Sequence, residues 1–216
     1  MERKTRSVPE VRSPLYPGQR VKLLAPRLVS AVSVEEALAQ RRSTREYSEK
    51  SLTMAETSQL LWAAQGVTGP GGLRTAPSAG AIYPLRTYLL AGAVEGLPAG
   101  VYGFDPDAHE LEFVTRGDRR ARLFEATNEQ VCAVESPIAV LMAGWFTRAT
   151  REFGALARDL GLIEAGHAAQ NFLLQAVALG LSAMVLGRFD RDAVARLCHL
   201  PASQTPLYLL LAGHAH

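Results

Sequence analysis

The sequence predicts a single α+β domain rather than a doubly wound parallel sheet, on three observations. Of the 216 residues, 48% are hydrophobic and 20% charged, enough apolar surface for a packed core. The elements run α, α, β, β, β, α, β, long α, β, α, β, so strands and helices do not alternate strictly. One helix is much longer than the others and apolar or small on every side, a pattern that demands burial on every side.

Each element has its own signal. Ser33-Val34-Glu35-Glu36 is a capping box that opens a short helix to about Gln40, and Thr53-Met54-Ala55-Glu56 repeats it for a helix ending at Gly66. Gly69-Pro70-Gly71-Gly72 forbids regular structure and makes 66–80 a loop. Thr87–Ala91, Val101–Phe104 and His109–Val114 form a three-strand meander, with Asp105-Pro106-Asp107 as a turn. Asp118–Ala126 reads as helix, and Pro137–Ala143 as a strand apolar enough to be buried on both faces. The long helix spans about Arg151–Leu179 and stops at Gly180. Ser182–Gly187 is a strand, Asp190 caps a helix to about Cys198, and Pro206–Ala212 is the last strand.

Along the long helix the polar residues Glu164, His167, Asn171 and Gln175 fall near one stripe, at steps of three and four. A chain of this size has difficulty covering such a helix alone, so a subunit interface is expected. Ala169→Asp should then break the dimer or the fold.

Composition excludes several classes. Formal net charge is +2, too small to suggest a nucleic-acid partner. Residues 1–30 carry seven basic side chains against Glu2 and Glu10, with Pro9, Pro14, Pro17 and Pro26, and are read as a basic extended arm preceding a domain at 31–216. No apolar run reaches the roughly 18 residues of a membrane span, and no apolar signal core follows the N-terminal charges, so a cytoplasmic protein without membrane contact is expected. Cys132 and Cys198 are too few for a disulfide framework or a four-cysteine zinc site.

Familiar catalytic motifs fail on context. Glu164-x-x-His167 lacks the second such pair that a di-iron bundle needs, and no metal site is expected. Gly69–Gly72 follows a helix and has neither dinucleotide nor P-loop spacing, and Ser78 lacks the Gly-x-Ser-x-Gly elbow. Two stretches remain. Arg41-Arg42-Ser43-Thr44-Arg45 puts three guanidiniums and two hydroxyls in five residues, an anion site in the making. Arg74–Pro84 is a loop of small residues stiffened by Pro77 and Pro84, able to approach something flat.

Those stretches carry a resemblance. Arg41-Arg42-Ser43-Thr44-Arg45-Glu46-Tyr47 looks like the opening motif of the FMN-dependent nitroreductase superfamily. Leu60–Gly66 together with Pro77-Ser78-Ala79-Gly80-Ala81-Ile82-Tyr83-Pro84 resembles its SagB-type dehydrogenase branch, which includes azoline oxidases of peptide biosynthesis. Glu164–Asn171 and Ala178–Leu181 continue the match, which covers about residues 33–213.

The resemblance implies a nitroreductase-like fold, a central, mostly antiparallel sheet flanked by helices, in a homodimer with FMN sites at the interface. Arg41, Arg42, Ser43 and Arg45 would hold the FMN phosphate and the polar edge of its ring. Pro77, Ser78, Ala79 and Gly80 would line the isoalloxazine from the other subunit. Leu186 and Gly187 would present backbone near its reactive nitrogen. It implies hydride transfer from NAD(P)H or an organic donor, through FMN, to a small acceptor; the alternatives are a SagB-type azoline dehydrogenase component acting on a modified peptide, or a flavin-binding protein without turnover. No side chain is named as catalytic; Tyr83 and Arg188 stand where substrate contact is plausible. Azoline oxidases carry a basic residue and a tyrosine ahead of the Glu-Ala-Gly-His segment, and this chain has Asp159-Leu160 there.

Overall fold

The computed structural model describes residues 15–216. The first half of the expected basic arm, residues 1–14, lies outside the described residues. In chain order the elements are β1 (Arg20–Lys22), α1 (Val34–Gln40), α2 (Met54–Gln65), β2 (Val67–Gly69), β3 (Leu73–Arg74), β4 (Leu85–Ala91), β5 (Gly100–Asp105), β6 (Glu110–Arg116), α3 (Arg120–Ala126), α4 (Val131–Glu135), β7 (Ile138–Gly144), α5 (Thr147–Phe153), α6 (Ala157–Ala178), β8 (Ser182–Leu186), α7 (Arg191–Leu197) and β9 (Thr205–Gly213). Seven strands form one sheet in the order β1-β6-β5-β4-β7-β9-β8, and β2 with β3 forms a separate short hairpin. Every pairing in the large sheet is antiparallel. The expected α+β architecture, a mostly antiparallel sheet flanked by helices, is the one found.

The sheet is buried on both faces, and its period of two sorts the side chains between two cores. From β7, Ile138, Val140 and Met142 enter the core under α2 and α6, while Ala139 and Leu141 enter the core under α3, α4 and α7. All seven residues of β7 are buried, as its apolar sequence predicts. From α6, Ala165, Ala168, Ala169, Phe172, Leu173 and Ala176 face the first core at steps of one, three and four.

The caps act as their sequences say. Thr53 and Glu56 form the full reciprocal box, with Thr53 N donating to Glu56 Oε2 at 2.8 Å and Glu56 N to Thr53 Oγ1 at 3.2 Å. Ser33 makes only half of its box: it accepts from Glu36 N at 3.0 Å, but the Glu36 carboxylate takes Gln40 Nε2 at 2.9 Å instead. Asp190 caps α7 by accepting from Ala193 N at 2.9 Å.

Three expectations need correction. The helix expected over 151–179 is broken at Gly154, whose φ of +55° and ψ of −128° lie outside the helical region and separate α5 from α6 by a single 3-10 turn. The stretch 66–80, expected to be a loop without regular structure, carries the β2–β3 hairpin around a 3-10 turn at Pro70–Gly72. The long helix keeps an open face, as expected where one chain cannot cover it alone: Ile163 is 56% exposed, and Leu162, Gly166 and His167 share that face. The second half of the arm is tied down. β1 pairs with β6 as an edge strand, and Ser58 Oγ donates to Leu24 O at 2.7 Å while Gln59 exchanges two hydrogen bonds with the Arg27 backbone.

No helix among the described residues is long and apolar enough to cross a membrane, and no cluster of three or more metal-ligating side chains occurs among them. Cys132 and Cys198 are both buried thiols. Burial pushes Cys198 up to about 12, far from the range of a reactive thiolate.

Candidate active site

The arginine-rich strap begins where α1 ends. Arg41 N still donates to Ala37 O at 3.0 Å, but Arg41 itself is extended, so the helix stops and the chain turns toward the open edge of β8. Thr44 holds it there: Thr44 N donates to Ala183 O at 3.2 Å, and Ala183 N donates to Thr44 Oγ1 at 3.2 Å. This covers an edge strand that would otherwise expose its backbone. Tyr47, 2% exposed, closes the turn by donating its hydroxyl to Thr44 O at 3.2 Å.

The strap leaves Arg41 half-buried and Ser43 and Arg45 exposed. Arg42 is exposed as well, but its Nη1 donates back to Ala39 O at 3.0 Å and Arg41 O at 2.8 Å. Its guanidinium is therefore partly used as a cap on the carbonyl end of α1. Leu186 ends β8 buried, Gly187 follows it exposed, and Arg188 is exposed beyond. Thr44 and Leu186–Gly187 thus belong to the same edge of the sheet.

The second stretch, Arg74–Pro84, is a strained and heavily braced loop. Gly80, Ala81 and Tyr83 all have φ between +51° and +58°. For the two non-glycine residues this left-handed conformation costs about 1–2 kcal/mol each. The bracing is specific: Tyr83 N donates to Ser78 Oγ at 2.9 Å, Arg74 N donates to the Tyr83 hydroxyl at 3.1 Å, and the Arg74 guanidinium lies 4.6 Å over the Tyr83 ring. Asn171 Nδ2, from α6, adds a bond to Thr75 O at 3.1 Å.

Beneath the loop lies a buried polar cluster that the sequence did not single out as a unit. Gln65 is 1% and Glu164 2% exposed. Arg74 Nη1 donates to Gln65 Oε1 at 2.8 Å. Glu164 lines a small cavity with Ser78 and Ala79. Among the described residues, Gln65 Nε2, Arg74 Nε and Glu164 Oε1 are buried without a hydrogen-bond partner. Burial pushes the Glu164 carboxyl above the usual carboxylate range, while Ser78, Arg74 and Gln65 pull in the other direction.

The polar stripe expected on the long helix is therefore divided. Glu164 is in this cluster, Asn171 braces the loop, Gln175 accepts from Gln59 Nε2 at 3.1 Å, and His167 faces outward. The only sequence signal for the cluster was the recurrence of polar residues on an otherwise apolar helix.

A raised carboxyl pKa has a signed consequence. The folded state binds the Glu164 proton more tightly than the unfolded chain does, so this group's stabilisation is full below its unfolded pKa and is lost as pH rises through the folded value. Glu164→Gln, uncharged at any pH, is expected to flatten the fall in stability on going upward from about pH 4.3, the unperturbed glutamate value. Urea denaturation of both proteins between pH 4 and 8 checks this, and parallel pH profiles would contradict it.

The family model described as the nitroreductase family matches residues 38–214, from the end of α1 through β9. The chain belongs to the nitroreductase family. This nitroreductase chain is 35% identical over 185 residues to protein MJ1384 of Methanocaldococcus jannaschii, provisionally named a nitroreductase, covering 86% of this chain and 92% of that protein. Its fold matches the crystal structure of another provisionally named nitroreductase, from Ralstonia eutropha JMP134, with a TM-score of 0.82 and 28% identity over 94% of this chain and 96% of that one. It also matches a chain of the Escherichia coli microcin synthetase McbBCD complex bound to truncated pro-MccB17, with a TM-score of 0.70 and 23% identity, covering 91% of this chain and 79% of that one. At that identity the likeness is one of fold.

Proposed function

We propose that this nitroreductase-family chain is an FMN-dependent oxidoreductase, active as a homodimer, that passes a hydride from NAD(P)H or an organic donor to a small acceptor. The observation that supports it most is the strap: a serine hydroxyl and the arginines Arg41 and Arg45 stand together on the sheet edge that ends in Leu186–Gly187. The residues fit such a cofactor. Arg41, Ser43 and Arg45 supply donors of phosphate-binding type, with Arg42 contributing less because its Nη1 is engaged. Gly187 is exposed where close backbone approach is required. FMN, when bound, supplies the hydride chemistry, and the protein's part is to bind and orient it.

In this reading Pro77, Ser78, Ala79 and Gly80 of one subunit line the ring held by the strap of the other. The braced loop keeps that wall rigid, and the orphaned donors and acceptor under it give the wall a polar support that can tune the site. A homodimer accounts for apolar residues left open on one chain: Leu156, Leu162 and Ile163 near or on α6, and Val34 and Leu38 on α1, are 40–66% exposed.

The test is the visible absorption spectrum of the purified protein before and after anaerobic NADH. Flavin bands that bleach support the reading; a colourless protein that also refuses added FMN overturns it. A second reading, a SagB-type azoline dehydrogenase acting on a modified peptide, is motivated by the Pro77–Pro84 motif. It expects flavin bands that persist with NADH and bleach only with an azoline-containing peptide. Asp159-Leu160, in place of a basic residue and a tyrosine, weighs against it.

A further inference from the structure

We propose that the groove between the Ala81–Pro84 segment and the β5–β6 turn is a binding site for a flat aromatic anion, an aryl carboxylate. The groove encloses about 500 Å³, within the range of roughly 300–1,000 Å³ usual for small-molecule sites. Tyr83, Phe104 and Trp145 line it together with three arginines, Arg74, Arg86 and Arg148.

Two of those arginines pack on aromatic rings: the Arg74 guanidinium carbon lies 4.6 Å from the Tyr83 ring centroid and that of Arg86 4.5 Å from the Trp145 centroid. Arg74 already gives Nη1 to Gln65 Oε1 at 2.8 Å, and its Nε is buried. Arg86 spends only Nη1, on Leu85 O at 3.3 Å, so its other donors can match the two oxygens of a carboxylate.

The charge balance selects an anion. Asp105 and Asp107 also line the groove, but Asp105 is taken by Arg20 Nη1 at 2.8 Å and by the backbone N–H groups of Asp107 and Ala108 at 3.1 and 3.2 Å. Arg86 and Arg148 then stand against one uncompensated carboxylate, that of Asp107, while Arg74 is shared with the Gln65–Glu164 cluster. The aromatic walls supply the rest: a ring beside the carboxylate has flat apolar surface to rest on. The Ala81–Pro84 wall continues directly from Pro77–Gly80, and the groove contains none of its own chain's strap residues.

Titration calorimetry of the full-length protein with 4-nitrobenzoate, and with 4-nitrobenzamide as its neutral counterpart, tests the site. The expected result is that the benzoate binds at least about tenfold more tightly, the worth of one charge-assisted contact. Arg86→Ala and Arg148→Ala should each weaken benzoate and leave the amide unchanged, with folding checked by circular dichroism. Asp107→Asn, on an exposed turn, should tighten benzoate binding, a gain that unfolding cannot produce. Equal affinity for the two probes, or benzoate binding indifferent to Arg86→Ala and Asp107→Asn, would overturn the proposal. So would binding lost in Arg41→Ala alone, which would move the ligand to the strap. FMN content, read separately from the absorption spectrum, reports on the strap and not on the groove.

Discussion

Ala169→Asp is expected to yield a chain that no longer folds, not a folded monomer. Ala169 is 3% exposed and belongs to the core between α6 and the sheet, together with Phe172, Leu173 and Ala165 from its own helix and Val140 and Leu210 from the central strands. An aspartate there is desolvated among aliphatic and aromatic side chains. The penalty for burying one such ion remains several kcal/mol even after relaxation, against a total stability of about 5–15 kcal/mol for an ordinary domain. The larger side chain also overpacks the α6–sheet contact, a further cost of roughly 1–3 kcal/mol.

Ile163→Asp is the control that separates core from interface. Ile163 is on the same helix but 56% exposed, so its aspartate reaches water in an isolated chain. It should keep the helical circular dichroism spectrum and, if the open face of α6 is the dimer surface, elute as a monomer. Circular dichroism and size-exclusion chromatography of the two variants decide the matter. A folded, dimeric Ala169→Asp would mean that α6 is rotated from the orientation described here.

The contrast between these two residues shows what the sequence reveals and what it hides. The composition of α6 announces that the helix must be covered, but an all-round apolar helix has no strong preferred face, so its sequence does not say which side its own sheet takes. Residue-local signals transfer well for a physical reason: the Thr53–Glu56 box and the Asp190 cap are settled within three residues of chain. The meander over 85–116 and the buried β7 were legible from period and apolarity. β1 was not. Its three residues, Arg20, Val21 and Lys22, are a charged edge strand whose partner, β6, lies about ninety positions away. Gly154 was also hidden, since a glycine inside a helical pattern is compatible with continuation until tertiary packing decides.

The candidate site divides in the same way. The strap was visible because its chemistry is contiguous in sequence. The Gln65–Arg74–Ser78–Glu164 cluster was not, because three separate elements bring it together and no contiguous motif joins Ser78 in its loop to Glu164 on the long helix. Arg42 marks the limit of carrying a motif over by position. Its identity fits an anion site, yet its hydrogen bonds go to the end of α1.

That difference makes the arginines of the strap separable by experiment. Arg41→Ala and Arg45→Ala are each expected to weaken FMN binding by about 1.5–3 kcal/mol, the worth of a charge-assisted hydrogen bond. If the two act independently, the double variant loses roughly two to four orders of magnitude in affinity and should emerge from purification nearly colourless. Arg42→Ala should lose less, because its Nη1 stabilises carbonyls at the end of a seven-residue helix, and its main effect should be a lower melting temperature. Flavin-to-protein ratios and titrations of apoprotein with FMN, followed by flavin fluorescence, give the ranking. Salt adds a second readout: the loss in Arg45→Ala should shrink as ionic strength rises, since Arg45 is exposed and its attraction to a phosphate is screened. Equal FMN content in wild type and double variant would move the phosphate away from the strap. A ranking in which Arg42 dominates would mean that its guanidinium leaves α1 when the cofactor arrives.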